Sequence, residues 1–464
     1  MNQLHTLHQP PAKALGNRRS FLRYPHYRHA NIEWIDQIPA HWTVWKAAHA
    51  FEIIGSGTTP KSENLDYYGG NIPWVTTSEL RESTITDAAQ KITHAALKDY
   101  PSLKLYAPGT VLIAMYGATI GRLGILGAPA TVNQACCAFA KSAVVDSKFM
   151  YHWLAARRPV LISLSAGGGQ PNLSQADLRQ LRVPVPPLNE QRAIAAFLDR
   201  ETARIDALIA KKQRLIGLLE EKGAALISRA VTTGLNHVGS EEAEGTDWTG
   251  SVIAQWPIKR LKYVATIQTG LTLGKKYDDG TQLARRPYLR VANVQDGYLD
   301  LAEITEVELP ESDIERYELQ EGDVLMTEGG DFDKLGRGYV WHSQIEGCLH
   351  QNHVFAVRPR KESLLPEYLA ALMTSTYGKA YFASTANQTT NLASTNSTKL
   401  KGFPLPLPTA KEQRAILNWV RLQADPIDRA ASGIQRGIDS LREYRAALIS
   451  AAVTGKIDVR EEAA

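Results

Sequence analysis

The sequence predicts a mixed α+β (α/β) protein with two globular domains and two long helices, arranged as a pseudo-two-fold tandem repeat. Three observations carry this. One block of chain is written twice. The first part of each copy, about 150 residues, alternates short β-rich runs with glycine and proline. Each copy then closes in about 45 residues that carry an apolar stripe at heptad-like spacing.

The repeat is the primary signal. Glu190-Gln191-Arg192-Ala193-Ile194 returns as Glu412-Gln413-Arg414-Ala415-Ile416, a shift of 222. The same shift carries Leu226-Ile227-Ser228 and Ala230-Val231-Thr232 onto Leu448-Ile449-Ser450 and Ala452-Val453-Thr454, and Pro184 and Pro186 onto Pro406 and Pro408. Upstream, Trp34, Trp42 and Pro73 match Trp248, Trp256 and Pro287 at 214, while Gly57 and Gly109 match Gly270 and Gly322 at 213. Ordered matches at nearly one spacing mean tandem duplication, with a few inserted residues accounting for the drift.

In chain order, residues 1–25 read as an N-terminal extension and 26–187 as the first globule. Strands are expected within Gly109–Tyr116 and Thr131–Ala140, and a helix over Lys148–Ala156. A proline-rich boundary leads into a helical segment, 188–238. The second globule, 239–408, has strands within Gly322–Thr327 and Gly338–Trp341 and a helix over Pro366–Thr376; a second helical segment, 409–457, and a tail, 458–464, follow. The tryptophans read as packing residues, and Cys136 and Cys137, inside an apolar run, as core.

The helical segments share a register. Ile427, Ala431, Ile434, Ile438, Leu441, Leu448 and Ala452 follow 4-3 spacing with Arg445 in the remaining step; Ile205, Ile209, Lys212, Ile216, Leu219, Leu226 and Ala230 repeat it, with Gly223 opposite Arg445. Pro426 suits a first helical position, so each segment is expected to hold a short helix, a break near 200–204 or 424–426, and a long helix. The spacing leaves the pairing direction open. Antiparallel pairing in a coiled coil would make a direct repeat two-fold symmetric, with a globule at each end of a rod. About 28 helical residues span roughly 42 Å, near the roughly 34–36 Å of one duplex turn.

Composition excludes more than it selects. The 464 residues are 44% hydrophobic and 22% charged, too long for one core and too balanced for disorder. No apolar run is long enough to span a membrane, and Met1–Ser20 has no secretory pattern. Three cysteines, Cys136, Cys137 and Cys348, make neither a disulfide framework nor a zinc site; a cytoplasmic setting is expected. The net charge of +4 hides an asymmetry: residues 1–185 carry 18 Lys+Arg and 11 Asp+Glu (+7), and residues 239–405 carry 17 and 23 (−6).

Catalytic constellations are missing. Gly270–Lys275 fails the spacing of a phosphate-binding loop, and Gly55-Ser56-Gly57 runs into Pro60. No Asn/Asp-Pro-Pro-aromatic tetrapeptide of an amino-group methyltransferase occurs. Glu220-x-Lys222 and Asp146-x-Lys148 are nuclease half-motifs without a Pro-Asp partner. His5, His8, His26 and His29 lack ligand spacing, and Gly167-Gly168-Gly169 reads as a flexible loop. No metal site is expected.

The duplicated Pro-x-Pro…Glu-Gln-Arg-Ala-Ile, the Leu198-Asp199-x-Glu201-Thr202-x-x-Ile205-Asp206 helix start, the Leu-Ile-Ser-x-Ala-Val-Thr helix end, Ile72-Pro73-Trp74-Val75-Thr76-Thr77-Ser78-Glu79-Leu80 and Tyr116-Gly117 resemble the specificity subunit of type I restriction-modification enzymes. The resemblance covers residues from about 30 to 457. It implies two target recognition domains, each reading one half of a bipartite double-stranded DNA sequence, and helices that set the gap. It implies docking of two modification subunits, which use S-adenosylmethionine to methylate adenine flipped out of the duplex. Two restriction subunits would use ATP and Mg2+. This chain would bind no cofactor and catalyse nothing.

Base reading needs amide, hydroxyl and guanidinium groups on loops. The DNA-binding candidates in the first domain are Thr76, Thr77, Ser78, Tyr116, Arg122, Asn133, Gln134, Gln170 and Asn172. In the second they are Arg290, Asn293, Gln351, Asn352, Gln388 and Asn391, with Lys275, Lys276, Arg285 and Arg286 as a basic loop. Candidates for the coiled coil and subunit docking are Glu190, Gln191, Arg192, Ile205, Ile209, Ile216, Leu219 and Leu226, and Glu412, Gln413, Arg414, Ile427, Ile434, Ile438, Leu441 and Leu448. Two other readings compete: a self-contained methyltransferase or nuclease, and a coiled-coil adaptor that never reads DNA.

Overall fold

The computed structural model describes residues 21–32, 34–164, 172–235, 242–243, 252–253, 256–274, 277–278, 280–295, 297–330, 338–388 and 393–463. It forms two compact units, 1–211 with 437–464, and 212–436. Each therefore holds one globule and parts of both long helices, Leu188–Thr233 and Ala410–Val453.

In the first unit a five-stranded sheet has the order Ile53–Ser56, Cys136–Ala140, Val111–Ala114, Leu123–Leu126, Ser83–Ile85. Both its faces are covered, which is why its strands read as unbroken apolar runs. Val111, Ile113, Cys137 and Phe139 face one core with Phe149 and Trp153, whereas Leu112, Ala114, Cys136, Ala138 and Ala140 face another with Val75, Leu80 and Val132. Beside it lies a smaller sheet, ordered Thr131–Val132, Tyr68–Val75, Lys91–Ile92, whose first pair is parallel. The helix Ser147–Leu164 starts on an Asp146 cap, whose Oδ1 accepts from Lys148 N (2.9 Å) and Phe149 N (3.2 Å).

The second unit repeats the plan with the sheet Ala265–Thr269, Val354–Pro359, Val324–Thr327, Gly338–Val340 and the smaller sheet Thr305–Pro310, Leu283–Leu289, Leu349–His350. The alternation recurs, with Val324, Met326, Phe355 and Val357 in one core and Leu325, Val354 and Ala356 in the other. The helix expected over Pro366–Thr376 is instead two, Pro366–Thr374 and Thr376–Thr385. At the break Ser375 caps the second helix through Gly378 N (3.3 Å), and Ser228 Oγ takes the freed Thr376 N–H at 2.8 Å.

Repeated glycines have matching reasons. Gly109 and Gly322 are left-handed, φ 84° and 90°, in the turn before a central strand. Gly57 and Gly270 pack against backbone: an added Cβ would lie 1.7 Å from Val132 O in one and 2.1 Å from His350 O in the other.

The expected breaks near 200–204 and 424–426 do not occur, and both long helices are continuous. Thr202 Oγ1 donates back to Leu198 O (2.7 Å) within the helix. Pro426 sits inside the second helix on an exposed face, and the carbonyl it deprives, that of Leu422, belongs to a residue 65% exposed, so water can satisfy it. The 4-3 stripe positions are the buried or half-buried ones: Ile205, Ile209, Ile216, Leu219 and Leu226 on the first helix, and Ile427, Ile434, Ile438, Leu441 and Leu448 on the second.

Within the first unit the helix segments run antiparallel. Trp42 Nε1 donates to Glu190 at the start of the first helix (2.9 Å), and Gly455, just past the end of the second, lies against the same indole. Further along, Arg445 Nη2 reaches Asp206 Oδ2 at 3.1 Å. The second unit has the same sense: the Tyr368 hydroxyl lies 2.9 Å from Val231 O, near one helix end, and 3.2 Å from Pro406 O, near the other helix start. Gly223 there faces Ile427.

Candidate nucleic-acid interface

One end of the first unit's sheets gathers the polar loops. The parallel pair Tyr68–Val75 and Thr131–Val132, in register Trp74↔Thr131 and Val75↔Val132, sends both chains out together, one as Thr76–Glu79 and the other as Asn133–Gln134. Asn133 N donates to Val75 O (3.0 Å), and Gly57 N donates to Asn133 O (3.2 Å). Because Ser56↔Cys137 and Cys136↔Ala114 pair antiparallel, the loops after 56, after 114 and before 136 meet at this end. Tyr116 and Asn172 form an isolated bridge there, and Ala114 N donates to Arg122 O (2.9 Å) across the 115–122 hairpin.

Thr76, Thr77, Ser78, Tyr116, Arg122, Asn133, Gln134 and Asn172 are thus brought together. Gln170 lies outside the described residues. Several of these side chains also build the loops. Thr76 N donates to Glu79 Oε2 (2.7 Å), its hydroxyl bonds Ser78 Oγ (2.8 Å), and Glu79 Oε1 accepts from Ala89 N (2.7 Å). Thr59 Oγ1 donates to Gln134 Oε1 (2.6 Å), and Asn133 Oδ1 accepts from Ala135 N (3.1 Å). Burial raises the Tyr116 hydroxyl above its usual range, so it stays a protonated donor at neutral pH.

The second unit builds the same end. Leu289↔His350 is its last parallel pair, Gln351 N donates to Leu289 O (2.9 Å), and Gln351 bridges Leu271. Asn352 N donates to Leu271 O (3.0 Å). Arg290 N donates to Asn293 Oδ1 (2.8 Å), the geometry Glu79 supplies in the first unit. Asn293 is 4% exposed, and its amide donates to Asp300 O (2.8 Å) and Glu303 O (3.0 Å), so its hydrogen bonds are spent inside the fold. Sequence reasoning missed Glu328 and His353, which also reach this end, hydrogen-bonded to each other at 2.5 Å. The repeat shift of 213, which carries Met115 onto Glu328, was the available signal.

Two members of the expected basic loop, Arg285 and Arg286, are not on a loop. Arg285 and Arg286 lie on the strand Leu283–Leu289, opposite Glu308 and Val307, and Arg285 Nε is 2.7 Å from Glu306. An acidic neighbouring strand attracts this charge, and the arginines stand three to four residues short of the strand's exit. Lys275, Lys276 and Asn391 lie outside the described residues, as does the side chain of Gln388.

The helix-start motifs have a defined job. Gln191 Oε1 accepts from Asp146 N (2.7 Å), and its amide donates to Val144 O and Pro186 O (both 2.8 Å). Gln413 does the same with Leu365 N (2.8 Å), Ser363 O (2.8 Å) and Pro408 O (2.9 Å). Both are 0% exposed. Glu190 is buried too, taking bonds from Tyr24 (2.7 Å), His41 (2.8 Å) and Trp42 (2.9 Å). Glu412 is exposed and caps its helix with Thr409 (2.7 Å), whose hydrogen bonds hold its carboxyl below the usual range. Arg192 and Arg414 face outward. Residues 21–25, read as extension, pack on this region: Phe21 stacks edge-on to Phe197, and Leu22 bridges Asp458.

The nuclease half-motifs dissolve into structure, since Asp146 caps a helix and Lys148 pairs with Asp199 at 2.6 Å. The three cysteines are buried thiols. Among the described residues no group of side chains could hold a metal ion, and no helix is long and apolar enough to cross a membrane.

Comparison with known proteins places this geometry. The chain is 26% identical over 268 residues to the MjaIX specificity subunit, a type I restriction enzyme component of Methanocaldococcus jannaschii, covering 57% of this chain and 60% of that one. It is 22% identical to the EcoKI specificity subunit of Escherichia coli K12, covering 88% of both. A solved chain from a study of complex assembly and conformational transition of the type I R-M system shares the fold, with TM-score 0.60 and 17% identity over 90% of this chain and 99% of that one. The model of the type I restriction modification DNA specificity domain matches residues 39–216 and 254–420, so both copies are accounted for, and the chain belongs to that family.

Proposed function

We propose that this chain is the DNA sequence-specificity subunit of a type I restriction-modification complex, each globule reading one half of a bipartite target. The observation that carries the reading is the repeated loop end: in both units a parallel strand pair delivers polar residues beside the loops of the main sheet. Loops on a rigid sheet can present amide and hydroxyl groups to base edges. The chain would make and break no bonds. Adenine methylation with S-adenosylmethionine, and ATP- and Mg2+-dependent cleavage, would belong to modification and restriction subunits, two of each, in the cytoplasm. The outward-facing Leu215 and Leu218, 46% and 51% exposed on the first long helix, suit docking of a modification subunit, and the helices would set the gap between half-sites.

The test is footprinting of the chain assembled with its modification subunits. Two short protected blocks on one duplex are expected, and a single continuous block would overturn the reading. Replacing residues 26–187 by the corresponding domain of a relative should change one half of the methylated sequence and leave the other. Inserting four residues in each long helix, about 6 Å, should lengthen the gap by one or two base pairs.

A further inference from the structure

Where the parallel pair leaves the sheet, the two units carry different side chains on the same turn. In the first, Thr76 closes the turn through its backbone N–H on Glu79 and bonds Ser78 with its hydroxyl. In the second, Arg290 N–H on Asn293 closes the turn, and the guanidinium takes no part. That guanidinium is half-buried, and its Nε is shielded from water without a hydrogen-bond partner. No ion pair or hydrogen bond to it exists among the described residues. Other arginines of this unit differ: Arg285 is held by Glu306 at 2.7 Å and Arg358 by Asp323 at 2.7 Å.

A partly desolvated cation without a partner is unfavourable, and at a binding end the partner can come from outside. A phosphate needs no recessed side chain, because a flexible surface lysine or arginine reaches it. A recessed, unpaired guanidinium beside Gln351 and Asn352 suits a planar partner with two adjacent acceptors. The O6 and N7 of guanine in the major groove are that partner.

We propose that Arg290 reads a guanine in the half-site of the second domain, and that the first domain, with Thr76 in this place, makes no such contact there. This rests on the reading that this end of the sheet faces DNA. The experiment is selection of bound duplexes from libraries randomised in each half-site, using the full chain assembled with its modification subunits, as wild type, Arg290→Ala and Arg290→Lys.

Wild type should prefer guanine at one position of the second half-site. Arg290→Ala should lose about 10- to 100-fold of preference at that position alone, with the first half-site unchanged. Arg290→Lys keeps the charge but not the two-pronged donor, so it should lose the same preference with a smaller loss of affinity. An equal loss of affinity for all sequences would mean a phosphate contact and overturn the proposal, as would unchanged selectivity in both variants. Should the alanine variant unfold the second unit, selectivity would vanish across that whole half-site, and the lysine variant then decides. Wild type showing no preference in the second half-site would instead overturn the underlying reading.

Discussion

The two helix-start motifs keep one residue's work and divide another's. Gln191 and Gln413 make the same three hydrogen bonds, to the loop before the globule's helix and to the proline-rich entry. Glu190 and Glu412, one position earlier, each take a tryptophan N–H from their own copy, Trp42 and Trp256, but differ in burial: the first is buried under Tyr24, His41 and Trp42, the second is an exposed cap. The clamp is internal to each copy, so duplication preserved it. Around the first glutamate Tyr24 adds a buried hydroxyl, and its neighbours Tyr27 and Leu22 tie that segment to Gly455 and Asp458.

The comparison breaks first at the glycines. Gly57→Ala and Gly270→Ala should each cost more than about 4 kcal/mol, because a Cβ would strike a backbone oxygen that cannot move without its strand. Denaturant melts followed by hydrogen exchange should show collapse of the unit that carries the change. Loss in one unit only would mean that the copies use the glycine differently.

Gln191→Ala and Gln413→Ala each strand two carbonyls and one N–H, and should cost about 3 kcal/mol apiece. Glu412→Ala should cost about 1 kcal/mol, the worth of a cap, and Glu190→Ala distinctly more, since the buried Tyr24 hydroxyl and Trp42 N–H lose their acceptor. Equal costs for the two glutamates, measured by urea titration, would remove the distinction drawn above.

A pH experiment sharpens the comparison further. His350 is fully buried and occupies the register position of Val132; burial pushes its pKa down to about 4. Its unfolded value is about 6.5, so the unfolded chain binds more protons between those two values. Stability of the second unit should therefore fall as pH drops from about 6.5 to about 4, by about 2–3 kcal/mol, and change little further from this group below that. His350→Val, which copies the first unit, should flatten the slope in a pH series of thermal melts.

The smallest effect belongs to the polar rung Asp206–Arg445, which has Gly223 facing Ile427 in the other unit. Asp206→Asn should cost less than about 1 kcal/mol and less again at high salt, as half-exposed pairs do.

Much of this was legible in one dimension. The 222-residue shift announced two units, the 4-3 stripe announced the paired helices, and unbroken apolar runs such as Cys136–Ala140 announced strands covered on both faces. The loop residues gathered at one sheet end were legible in part, because Thr76–Ser78 and Asn133–Gln134 each follow a strand. What misled was local chemistry judged without neighbours. Pro426 signalled a break, yet the helix continues, with the residue one turn back, Leu422, on an exposed face. Arg285 and Arg286 signalled a basic loop, yet Glu306 was waiting on the adjacent strand.

Sequence alone determined the duplication, the strand and helix periods, and which loops carry amide, hydroxyl and guanidinium side chains, because these depend on order along the chain. Tertiary structure decided which of those residues are free to act. Asn293 and Arg290 are equally polar on paper; folding spends the first on two carbonyls and gives the second no partner among the described residues. That distinction rests on desolvation and hydrogen-bond supply, which are set by neighbours distant in sequence.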